Sequence, residues 1–76
     1  MNKAISSAEY AALITWLKQA REEQGLTMRE LAERLEEPHT FVQKVEALQR
    51  RLDVYEFSLY CKALNLKPTK GMAFFQ

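Results

Sequence analysis

His39, Thr40, Gln43 and Lys44 are spaced so that, on a helix, all four can point to one side. Val42 and Val45, interleaved with them, then point to another. The four side chains carry hydrogen-bond donors, acceptors and one fixed cation. Such a face either recognises a partner or is the wet side of a small helical protein. Catalysis is a poorer match. The lone His39 has no Cys or His at metal-ligand spacing, and no serine, cysteine or carboxylate constellation has a histidine placed to activate it. The chain also lacks a glycine-rich phosphate loop, so no enzyme, metal or cofactor is expected. Cys61 stands alone within an apolar helical pattern, which excludes an intrachain disulfide and reads as a buried, inert thiol.

The elements that position that face must come from a short chain. With 76 residues, 47% apolar and 28% charged, it is expected to form one domain with a single modest core. Two glycines and two prolines favour helices over a turn-rich β fold. The net charge of +1 singles out no class of partner, so any case for one rests on how the charges are arranged. The amino-terminal stretch is too polar for a signal peptide and nothing is long enough to span a membrane, so a cytoplasmic protein is expected.

Helix boundaries follow from capping signals. Ser6 and Glu9 predict a first helix from about residue 7, with Tyr10, Leu13, Ile14, Leu17 and Ala20 forming one apolar stripe. It stops at Gly25, with Leu26 folding back on the last turn. Thr27 and Glu30 form a second capping box, and Leu31, Ala32 and Leu35 give the helix it opens a short apolar face. That helix must end before Pro38. Proline suits the first position of a helix, so a third is expected over about 38–47. Asp53 and Glu56 open a fourth, carrying Phe57, Tyr60, Cys61 and Leu64 inward, with Asn65 as terminator. The tail, 67–76, is either a short fifth helix opened by Pro68 or a contact with a partner, and Gly71 weakens the helical reading. The expected fold is all-α: a single domain over 1–76, core about 7–66, of four to five compact helices.

At this point "LKQAREEQGLTMRELAERL", "PHTFVQKVE" and "RRLDVYEF" together resemble the lambda-repressor/Cro type of helix-turn-helix domain, the XRE family. The resemblance covers roughly residues 13 to 66. It implies a five-helix domain, usually dimeric, that binds double-stranded operator DNA and represses or activates transcription. On this resemblance His39, Thr40, Gln43 and Lys44 take the base-reading positions. Lys44 would meet guanine, Gln43 adenine, and Thr40 a thymine methyl or a phosphate. Thr27 and the amides behind it would meet a phosphate, and Arg50 and Arg51 match positions near the DNA backbone. Arg29 would join them in a positive strip. Arg21 and Glu46 match a pair that the family buries as a structural ion pair. A homodimeric repressor on a palindromic site is the resulting expectation.

Several positions depart from the family's pattern. Met28 stands where glutamine is common, and Glu36 replaces the turn glycine, where a left-handed conformation would cost about 1 kcal/mol. Glu37 adds a second carboxylate, and Ala47 and Leu48 replace the usual ending of the third helix. Together with Phe41, which is either part of the core or an exposed apolar contact, they motivate an alternative. In it the helix-turn-helix is a scaffold acting through a protein partner, as an antitoxin or adaptor. Trp16, Leu48, Phe74 and Phe75 are more apolar surface than so small a chain readily buries, which suggests that some of it meets a second subunit.

Overall fold

A computed structural model describes residues 7–76. Ser6 lies outside them, and the first helix is capped one residue later: the Ser7 Oγ accepts from the Tyr10 amide at 3.1 Å. Five helices follow in order, α1 (Ala8–Glu23), α2 (Met28–Leu35), α3 (His39–Glu46), α4 (Val54–Ala63) and α5 (Pro68–Met72), with a 3-10 turn over Ala73–Phe75. No strand occurs among the described residues.

The expected stripe of α1 is buried along its length, from Tyr10 to Ala20. It meets Leu31 and Ala32 of α2, Val42 and Val45 of α3, and Phe57, Tyr60, Cys61 and Leu64 at α4. Ala32 is 1% exposed where α2 and α3 approach, and a larger side chain there would force them apart. Cys61 lies inside this core, and burial pushes its thiol up to about 11, far from a reactive thiolate. Tyr10 also ties α1 to the loop before α4, its hydroxyl accepting from the Leu52 amide at 3.1 Å.

Each of the first four helices ends through a left-handed residue, at Gly25, Glu36, Leu48 and Asn65. The chain then folds back in the same way each time. The amides of Leu26, Glu37, Gln49 and Leu66 donate to the carbonyls of Arg21, Ala32, Lys44 and Cys61, at 2.8 to 3.0 Å. Only one of the four corners uses glycine. At Glu36 and Leu48 the side chain must tolerate φ of 57° and 60°, which a glycine would accept without steric cost.

The tail resolves into α5 and its 3-10 turn, packed against α1 and α4. Gly71 does not weaken this helix so much as make its packing possible. A Cβ at that position would lie 2.7 Å from the Trp16 ring and 2.8 Å from a Leu13 methyl. The edge of Trp16 also meets Phe74, ring centroids 6.1 Å apart. Other apolar groups stay in solvent: Val54 is 85% exposed and Tyr55 71%, with Met72 and Phe75 near half. Val54, Met72 and Phe75 border an open apolar groove of about 480 Å³ that Tyr10, Leu13 and Phe57 help to line.

Candidate nucleic-acid interface

The pair α2–α3 is built from local chemistry upward. Thr27 opens α2 through a complete capping box: its Oγ1 accepts from the Glu30 amide at 3.0 Å, while Glu30 Oε1 accepts from the Thr27 amide at 2.9 Å. The Thr27 N–H, followed by its hydroxyl, holds the Glu30 carboxyl below the usual carboxylate range. Thr27 itself is exposed at the start of α2.

Three residues, 36 to 38, join α2 to α3. Pro38 is not the first residue of α3, as its type suggested, but its cap. A ψ of 153° keeps it extended, and helical geometry starts at His39. After the left-handed Glu36 the chain needs an extended segment to swing away from α2, and proline's fixed φ suits that too. The helix is accordingly shorter than 38–47 at both ends.

On α3, Val42 and Val45 are completely buried and Phe41 is 8% exposed. Phe41 therefore belongs to the core, with its ring centroid 6.4 Å from that of Tyr60. Opposite them Thr40, Gln43 and Lys44 are exposed and His39 is half-buried. None of these four has a hydrogen bond or ion pair through its side chain with the other described residues. Beneath them Leu31 of α2 is completely buried in the same core as Val42 and Val45, Leu35 only in part.

The far end of α3 is pinned by charge. Arg21 donates from Nε to Glu46 Oε2 at 2.7 Å and from Nη2 to Oε1 at 3.1 Å, and from Nη1 to the Leu26 carbonyl at 2.7 Å. The two side chains are 9% and 4% exposed. The Glu46 hydrogen bonds raise the affinity of Arg21 for its proton, against the opposing effect of burial.

The remaining cations differ from one another. Arg29 and Arg51 are exposed, and their side chains hold no internal partner among the described residues. Arg50 is engaged. It grips Glu56 with both terminal nitrogens, at 2.9 and 2.8 Å, donates to the Arg51 carbonyl, and stands 4.7 Å over the Phe41 ring. Sequence reading missed this arrangement, because its partners come from two helices and the loop between them. Glu36 and Glu37 are both exposed in the turn leading into α3.

An exposed polar row on a short helix, locked by a preceding short helix through a tight turn, is helix-turn-helix geometry. A family model described as "Helix-turn-helix" matches residues 17–70. Among solved structures, the chain is similar to an XRE-family like protein from Pseudomonas syringae pv. tomato str. DC3000. The TM-score is 0.84 and the identity 42%, covering 95% of this chain and 88% of that one. No curated protein shows a significant sequence match. The chain belongs to the XRE-type helix-turn-helix family of DNA-binding regulators.

Proposed function

We propose that the chain is a sequence-specific transcriptional repressor that acts as a homodimer and reads the major groove with α3. The observation that carries this is the outward row of Thr40, Gln43 and Lys44, free of internal bonds, on a helix whose opposite side is fully buried. Lys44 donates to guanine O6 or N7, and Gln43 pairs with adenine through its amide. Thr40 and His39 extend the contact to a thymine methyl or a phosphate. Thr27, Arg29 and Arg51 carry the sequence-independent contacts to phosphate. The exposed apolar residues around the α4–α5 groove, Val54, Met72 and Phe75, supply the surface for a second copy. Two copies then present their third helices to successive major grooves, about 34 Å apart, on a palindromic operator.

Selection of bound sites from random duplex DNA, at two salt concentrations, tests the reading. An enriched inverted repeat whose affinity falls with salt is the expected result. Failure to enrich any sequence would overturn it. A second reading, a helix-turn-helix scaffold for a protein partner such as an antitoxin or adaptor, is favoured by one observation. Glu36 and Glu37 stand exposed beside the row, where they would repel phosphate. Loss of sequence enrichment together with salt-insensitive capture of a protein would select it.

A further inference from the structure

Arg50 was expected at the DNA backbone, yet its guanidinium is already committed on three sides. Glu56 takes a hydrogen bond from each terminal nitrogen, the Arg51 carbonyl takes another, and the plane stands over Phe41. Each of these partners has its own structural duty. Phe41 is a buried residue of α3, three positions before Lys44 and so its neighbour on the helix surface. Glu56 closes the capping box of α4, accepting from the Asp53 amide at 3.0 Å while Asp53 Oδ1 accepts from the Glu56 amide at 2.7 Å. Arg50 thus joins the Lys44 flank of α3 to the first turn of α4, across a loop with no helix of its own.

We propose that Arg50 and Glu56 are positioning residues for the reading helix. They fix how α3 lies against α4, and they leave the phosphate contact beyond α3 to Arg51. The inference rests on the DNA-binding reading above. A bidentate grip on a carboxylate uses the same fork that would clasp a phosphate, so the same nitrogens cannot serve both partners at once. The pair is partly solvent-exposed, with side chains 42% and 21% accessible, so its effect on stability is small and its effect on orientation is the quantity to measure.

The sign of one substitution separates positioning from competition. Glu56→Gln keeps an acceptor for the Asp53 amide, since glutamine serves in a capping box, and removes only the charged partner of Arg50. If Glu56 merely withheld Arg50 from DNA, losing an acid would raise affinity for the selected duplex and steepen its salt dependence. Positioning predicts the reverse: about five-fold weaker binding with an unchanged salt slope. Arg50→Ala should weaken binding to a similar extent, again without changing the slope. The double variant should be no worse than either single one. Tighter binding by Glu56→Gln, or a slope lowered by about one in Arg50→Ala, would overturn the proposal. Backbone amide shifts of DNA-free Glu56→Gln keep this test apart from the DNA-binding reading. Shifts reaching Phe41 through Lys44 uphold the positioning role even if no DNA is bound, and shifts confined to residues 50–57 overturn it.

Discussion

Arg21 and Glu46 form a two-pronged ion pair, 2.7 and 3.1 Å, between the last turn of α1 and the last residue of α3. The same guanidinium holds the Leu26 carbonyl just before α2, so one side chain ties together three segments of the helix-turn-helix. A pair this buried owes much of its importance to the cost of breaking it. Glu46→Ala or Arg21→Ala should destabilise the fold by about 3–5 kcal/mol, because each strands a charge without its partner. Replacing both by apolar residues of similar volume should cost much less. Chemical denaturation of the three variants checks this, and near-equal losses in single and double variants would contradict it.

The polar row on α3 makes a different prediction, concerned with specificity. Gln43→Ala and Lys44→Ala lie on an exposed face and should leave folding intact. Each should cost about 1–3 kcal/mol at the base pair it reads and relax preference there. Arg51→Ala should instead weaken binding to all sequences and lower the salt slope by about one. Binding measured on the selected site and on single-base variants of it checks both. Unaltered preference in the Gln43/Lys44 double variant would refute the assignment of readers.

Glu36 combines two unfavourable features, a left-handed backbone and an exposed carboxylate in the turn leading into α3. Glu36→Gly should therefore stabilise the fold by about 1 kcal/mol through relief of the backbone, offset in part by the entropy of glycine. It should also tighten DNA binding, most visibly at low salt. Thermal unfolding and a titration with duplex at two salt concentrations test the two effects separately.

Acid should loosen the helix starts first. Hydrogen bonding by Arg50, and then by the Asp53 amide, lowers the Glu56 pKa below 4.5, while Thr27 does the same for Glu30. A carboxyl whose pKa is depressed on folding adds stability that is fully present above its unfolded value. That stability fades as pH falls through the folded one. The melting temperature should hold steady from about pH 7 to 5 and drop below about 4.5. Glu30→Gln and Glu56→Gln together should flatten the drop, and an equally steep one would count against these two groups as its source.

What could be read from the residues alone was whatever acts over three or four positions. Thr27 with Glu30, Asp53 with Glu56, and the stripe from Tyr10 to Ala20 each lie within one helix, so spacing reveals them. Gly25 and Asn65 likewise stood out as terminators by type. The cap of α1 moved from Ser6 to Ser7: Glu9 three residues on favoured Ser6, but the adjacent serine is an equally good acceptor and caps the helix without a box. Pro38 shifted for a similar reason, since one fixed φ serves both a cap and a first turn. Beyond that range the sequence was silent. Phe41 could not be placed in the core until Tyr60 lay beside it, and Arg50, expected at the DNA backbone, was not matched to Glu56 until the loop brought the two within reach. Gly71 looked like a flaw in a helix, because the Trp16 ring that demands it is more than fifty positions away in the chain. The Arg21–Glu46 pair was foreseen only through family resemblance. The proposed assignment of base readers on α3 came from the same source.

The seat that Gly71 gives Trp16 has a practical consequence. The chain holds one indole, and it sits between α1 and the tail, against Phe74, well apart in sequence from α3. Its fluorescence emission is therefore a built-in reporter of whether the carboxyl-terminal segment is docked. Lifting that segment away, by truncation or on assembly, would shift the emission red as water reached the ring. DNA engagement at α3 could then be followed independently, by a dye on the duplex.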